Sequence, residues 1–129
     1  MWIMTTFGFF SVVEKEEDRG TKFVTVRARV RRDLESLLKR SPFFNAKSIV
    51  ASRPGGVDDY RFRARVDRNE LASVIFEALV EIDYDNFKDA VQHRQGQQRS
   101  MLYTRVWANL LQLQPQAGDR FPLLHSFGV

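Results

Sequence analysis

Arginine recurs at every second position in two stretches of this chain, and that spacing is its strongest chemical signal. Arg27, Arg29 and Arg31 alternate with Val26, Ala28 and Val30, and Arg61, Arg63 and Arg65 alternate with Tyr60, Phe62, Ala64 and Val66. Residues two apart share one side of a strand, so each stretch predicts an apolar side and a guanidinium side. Phe7 and Phe9 alternate in the same way within an apolar stretch from Ile3 to Val13. Assigning them to the arginine side leaves Trp2, Met4, Phe10 and Val12 for the core. Guanidinium groups interleaved with rings on an open sheet neutralise phosphates and stack unpaired bases. The first candidate site is therefore Arg27, Arg29, Arg61, Arg63, Arg65, Phe7 and Phe9, with single-stranded nucleic acid or another polyanion as its partner. Three blander roles compete with it. The arginines could keep an exposed sheet soluble, pair with Glu81, Asp83, Asp85 and Asp89, or lie under a dimer partner.

A second constellation lies further along. Lys88, His93, Arg94, Arg99, Tyr103 and Arg105 could gather around a helix–helix turn and hold an anionic ligand, with His93 as a candidate general acid or base. The competing reading makes Asp83 or Asp85 a helix cap, Phe87 and Trp107 core, and the basic groups a solvated face. Tyr103 and Trp107 stand at i and i+4, on one helix side. An exposed ring there would anchor a protein partner or a homodimer.

Nothing in the sequence points to catalysis or to a cofactor. There is no cysteine, so no thiolate nucleophile and no Cys-based zinc site. His93 and His125 alone do not make a metal site. Gly55-Gly56 lacks the lysine and serine of a phosphate-binding loop and reads as a hairpin turn.

Period two and helical spacing divide the chain into elements that must carry these residues. Ile3 to Val13 is β-branched and aromatic, with Gly8 its one soft point, and predicts a single strand. Thr21 to Val30 predicts the second strand, joined to the first as an antiparallel hairpin. Leu34, Leu37 and Leu38 then form a helical stripe from Arg32 to the stop at Ser41-Pro42. Ala46 to Ser52 predicts a short strand, and Arg53-Pro-Gly-Gly-Val-Asp-Asp59 a turn. Tyr60 to Val66 predicts the fourth strand. Asp67 and Glu70 have the spacing of a capping box. The helix behind them, to about Ile82, buries Leu71, Val74, Ile75, Ala78 and Leu79. Two more helices follow, from Asp85 to about Gln95 and from Arg99 to Leu113, the latter burying Leu102, Val106, Leu110 and Leu113. Gly96 breaks them and Pro115 ends the second.

Arg27-Ala-Arg-Val30 and Arg63-Ala-Arg-Val66 stand 36 residues apart, each closing a strand and opening a helix. The chain therefore reads as two strand–strand–helix units in tandem, with chance similarity as the competitor. The fold class is α+β: a four-stranded antiparallel sheet with helices on one face and two further helices. One domain spans residues 1–114, and 115–129 reads as a loose tail of little consequence for stability.

Charge is uneven along the chain. Between Arg19 and Arg68 fourteen Lys or Arg face five Asp or Glu, whereas six positive and eleven negative residues make up the rest. Such asymmetry suits a polyanion, self-association or internal ion pairs. At 43% apolar and 28% charged the composition is that of a globular domain. No apolar run is long enough to span a bilayer. The absence of a secretory leader and of cysteine favours the cytoplasm.

Gly8-Phe-Phe-Ser-Val-Val13, Arg27-Ala-Arg-Val30, Asp83-Tyr-Asp-Asn-Phe-Lys88, Arg94-Gln-Gly96 and Tyr103-Thr-Arg-Val-Trp107 together resemble a family of small bacterial proteins to which no function is attached. The resemblance runs from about Met1 to Leu113. It implies a bacterial, cytoplasmic setting and supplies no activity, cofactor or site.

Overall fold

The computed structural model describes residues 1–53 and 55–115. They form two compact units, Met1–Phe87 and a second that begins at Lys88. The expected loose tail, from 116 onward, lies outside the described residues.

The first unit is an α+β sheet structure. Its strands are β1 (Trp2–Thr5), β2 (Gly8–Val13), β3 (Phe23–Ala28), β4 (Val50–Ala51) and β5 (Phe62–Asp67), with helices α1 (Arg31–Leu38) and α2 (Arg68–Val80). They make one antiparallel sheet of five strands in the order β1-β2-β3-β5-β4. Sequence periodicity predicts four. The extra strand arises because the stretch read as one strand folds back on itself at Thr6-Phe7. Neither turn residue has a positive φ, so this is not the Asn-Gly kind of hairpin that a sequence announces. Thr5 holds the turn instead. Its Oγ1 accepts the Phe7 N–H at 3.1 Å and donates to the Gly8 carbonyl at 2.9 Å.

Both helices contribute to a core on one side of the sheet. Phe10, Val24, Val26, Ala28, Ala64 and Val66 pack there with Leu34, Leu37 and Leu38 of α1 and Leu71 and Val74 of α2. Phe10, Val26, Leu34 and Leu37 are completely or almost completely buried. Asp33 ties α1 to the sheet through its carboxylate, which accepts the Phe9 N–H at 3.0 Å. A Cβ added at Gly8 would lie 2.6 Å from the Phe10 ring and 2.8 Å from the Asp33 Cβ. Glycine at that position is what lets β2 approach both.

Two element boundaries depart from the periodic reading. Ala46–Ser48 is a 3-10 turn, and strand pairing is confined to Val50 and Ala51. The Asn45 side chain accepts the Lys47 N–H and the Ser48 hydroxyl donates to the Asn45 carbonyl; local bonds of this type compete with a ladder. At α2, Asp67 caps the helix as expected, accepting the Asn69 and Glu70 N–H groups. Glu70 does not complete a capping box, because its carboxylate accepts the Ser41 hydroxyl at 2.6 Å. Leu79, expected in the core, is 66% exposed.

The second unit joins α3 (Phe87–Gln95) to α4 (Gln97–Leu110) through Gly96 alone, at φ +97°. That left-handed backbone is favourable only for glycine. Val91, Ser100 and Tyr103 are buried, and the Ser100 hydroxyl donates to the Lys88 carbonyl. Leu102, Val106, Leu110 and Leu113, expected as a buried stripe, are all exposed. Among the described residues no helix is long and apolar enough to cross a membrane.

Candidate nucleic-acid interface

The sheet side opposite the helices is built one cross-strand row at a time. Trp2 pairs with Ser11, Ser11 with Arg27, Arg27 with Arg63, and Arg63 with Val50, which is one row across all five strands. Met4 pairs with Phe9, and Thr25 with Arg65. The core side holds the alternate residues. Trp2 and Met4 are therefore not core residues: the added hairpin puts them on the arginine side, with Trp2 73% exposed.

The predicted members separate into different environments. Phe9 lies on the arginine side, its ring 6.1 Å from Trp2 and 6.4 Å from Tyr60. Phe7 does not. It sits in the Thr6-Phe7 turn, packs against the core near Phe10, and lies under the Arg40 guanidinium. Tyr60, which the alternation assigned to the apolar side, precedes β5 in irregular backbone and turns to the arginine side. There Arg27 and Arg29 stack over its ring at 4.6 and 4.8 Å, an arrangement favourable in itself. Trp2 and Tyr60 are the site residues that periodicity missed. The dense turn before Tyr60 was the one signal that strand alternation should not be extended back to it.

Direct juxtaposition of Arg27 and Arg63 costs free energy unless each charge finds a counterpart. Arg27 donates through Nη2 to Ser11 Oγ at 2.8 Å, while its Nε is buried with no acceptor. Arg63 pairs with Asp58 at 2.9 Å. Arg29 donates through Nε to the Asp59 carbonyl. Arg61 is exposed and lies over the Phe62 ring. Arg65 is the most committed: Nε reaches Asp18 Oδ1 at 2.7 Å, Nη2 reaches the Glu17 carbonyl, and the guanidinium covers Phe23. Arg31, which the alternation placed in line with these, opens α1 and pairs with Glu35.

Asp18 is the anchor of this network and is itself fully buried. It belongs to a 3-10 turn, Glu16–Asp18, between β2 and β3. Its carboxylate accepts the Thr25 hydroxyl at 2.7 Å and the Lys15 N–H at 3.0 Å besides Arg65. Burial alone would raise its pKa. The Thr25, Lys15 and Arg65 hydrogen bonds, with the guanidinium charge, outweigh burial and hold the carboxyl below the ordinary 3.8. Beside this anchor a cavity of about 150 Å³ is lined by Lys15, Arg63, Arg65, Thr25, Ser48 and Glu17 among others. The three cations there outnumber the one lining carboxylate.

The residues of the second candidate site lie in the second unit, from Lys88 at the start of α3 to Arg105 on α4. Lys88 stands 4.0 Å over the Trp107 ring, and Arg99 donates to the hydroxyl of the buried Tyr103 at 3.2 Å. His93, Arg94 and Arg105 are exposed. Among the described residues His93 shares an open depression with Asp89 and Gln92. Trp107 is 52% exposed. No three His, Cys, Asp or Glu side chains among the described residues gather as metal ligands would. His125 lies outside the described residues.

Comparison of the chain with protein-family models, with characterised proteins and with solved structures gave no match.

Proposed function

We propose that the open side of the sheet binds single-stranded nucleic acid, or a polyanion like it, without strong sequence preference. The observation that carries this reading is the sheet side that faces away from α1 and α2, on which the exposed indole of Trp2, Phe9, the stacked Arg27 and Arg29, and Arg63 lie together. Rings at one end suit bases and guanidinium groups at the other suit phosphates. The working set is Trp2, Phe9, Arg27, Arg29 and Arg61, with Lys15 at its margin and Arg63 held in reserve by Asp58. Arg65 serves as a structural pillar through Asp18. The reading presupposes a cytoplasmic setting, where such a partner is accessible. The tandem organisation of two strand–strand–helix units is supported by the sheet order β2-β3-β5-β4 and by the direct pairing of Arg27 with Arg63.

The test is titration of a fluorescent single-stranded oligonucleotide. Binding is expected near 50 mM salt and should weaken steeply towards about 200 mM. Trp2→Ala should weaken binding at every salt concentration by roughly the 1–3 kcal/mol of one stacked base, with little change of slope. Absence of binding at the lower salt would end this reading.

A further inference from the structure

Strand β5 runs from Phe62 to Asp67, yet on its outer edge β4 pairs with Phe62 and Arg63 alone. No other strand among the described residues covers the rest of that edge. Backbone groups of alternate residues point to opposite edges of a strand. The Arg68 N–H reaches the Lys22 carbonyl on the β3 edge, and the Arg61 carbonyl accepts the Ser52 N–H on the β4 edge. Phe62, Ala64 and Val66 therefore serve β3, and the N–H groups of Arg65 and Asp67 point outward. Continuing the register of Val50 with Arg63 would set Ser48 against Arg65. Ser48 does not pair there, because the 3-10 turn commits its N–H to the Asn45 carbonyl.

A cavity of about 610 Å³ opens along this bare edge, with Arg65 and Val66 in its wall. Phe44, which packs against the core, lines it as well, and so do Phe23 and Lys22. The exposed Phe43 stands beside them. Two lining carboxylates are engaged within the chain: Asp67 accepts the α2 N–H groups and Glu70 the Ser41 hydroxyl. Arg65 commits Nε and Nη2 to Asp18, Glu17 and Thr21, and its Nη1 has no partner among the described residues. The exposed Lys22 meets Asp67 at 3.7 Å, a loose contact. Unfilled cationic capacity thus lies on the arginine side of the edge, and apolar surface on the core side.

We propose that this edge takes up an extended peptide as a further strand, antiparallel to β5, with a carboxylate side chain opposite Arg65 and an apolar residue just before it. The residue opposite Arg65 exchanges two backbone hydrogen bonds with it, and the residue two before accepts the Asp67 N–H. Alternation then sets the carboxylate beside Arg65 and Lys22, and the preceding side chain towards Val66 and Phe44. Val50 already occupies the position opposite Arg63, so the peptide ends or turns away within one residue of its carboxylate. Arg65 lies outside the working set of the nucleic-acid reading, and failure here leaves that reading untouched.

Fluorescence anisotropy on the full chain tests it, with a fluorescein-labelled Thr-Val-Thr-Val-Glu peptide amidated at its C-terminus. Saturable binding below about 1 mM is expected. N-methylation of the Glu nitrogen, which faces Arg65, should weaken binding about tenfold or more. N-methylation of the Val before it, whose N–H points away from β5, should change binding by no more than about twofold. Lys22→Glu should lose this peptide and bind its counterpart ending in Lys. Phe43→Ala should weaken binding several-fold, and both variants should keep the wild-type circular dichroism. The Arg65 and Asp67 amides should exchange hydrogen rapidly in the free protein and slowly with peptide bound. Absence of binding at about 1 mM overturns the proposal, and equal effects of the two N-methylations overturn strand pairing. Protection of both amides in the free protein also overturns it, since it means that the chain itself or a second copy already covers the edge.

Discussion

At Asp18 a single carboxylate decides how much of the arginine row is available to a ligand. It satisfies the Thr25 hydroxyl, the Lys15 N–H and the Arg65 Nε together. Asp18→Ala leaves three donors without that acceptor, one of them on the buried Thr25. The expected loss is about 2–3 kcal/mol, below that of a fully buried pair because Arg65 is partly rehydrated. Urea unfolding at neutral pH measures it. The same residue gives a pH signature. Its folded pKa lies below the ordinary 3.8, so the unfolded chain takes up the proton first as pH falls. The stabilisation is present above the unfolded value and disappears as pH drops through the folded one. The stability gap between wild type and Asp18→Ala should be flat at neutral pH and shrink under acid conditions below about pH 4. A gap that persists there would assign the effect to packing. Gly8 is the second test at this scale. With the Phe10 ring and the Asp33 Cβ both under 3.0 Å from an added methyl, Gly8→Ala should cost about 1–3 kcal/mol in the same assay.

Elements announce themselves in this sequence where side chains alone decide them. Strict alternation located β3 and β5, because each buries one face against α1 and α2, and the Leu34, Leu37 and Leu38 stripe located α1. Asp67 marked the start of α2, and two N–H groups bond to its carboxylate. Those bonds, the Glu70 N–H first, together with Lys22 outweigh burial and lower the Asp67 pKa. Asp67→Ala should lower the thermal midpoint, whereas Asp67→Asn, which offers the same acceptor, should retain most of it. Equal losses would mean that charge and not capping matters there. The β1–β2 hairpin was illegible because a threonine hydroxyl, and not a turn dipeptide, makes the bend. The strand read at Ala46 to Ser52 is shortened to Val50–Ala51 for a related reason. Asn45 and Ser48 bond their own backbone and wind it into a 3-10 turn.

For the molecule as a whole, the charge that counts is what remains after internal pairing. Arg63 and Arg65 are neutralised by Asp58 and Asp18, whereas Arg27, Arg29 and Arg61 have no carboxylate partner among the described residues. Three phosphate contacts predict a log–log salt slope of about −2 for single strands. Asp58→Asn releases Arg63, so it should tighten binding and steepen the slope to about −3. A slope near zero would show that the arginines are not in contact with phosphate. By itself the sequence determined that there would be an antiparallel sheet, which strand positions are apolar, and that arginines would share one side of two strands. These follow from local periodicity and from the two-residue repeat of an extended chain. Tertiary structure alone decided which rings join those arginines. Tyr60 reaches Arg27 and Arg29 from outside the strand, Trp2 arrives through an unannounced hairpin, and Phe7 leaves for the core side. It also decided which arginines remain available, because Asp18 and Asp58 lie 47 and 5 residues from the guanidinium groups they hold. Pairing of that kind depends on where loops close in space, which no local spacing records.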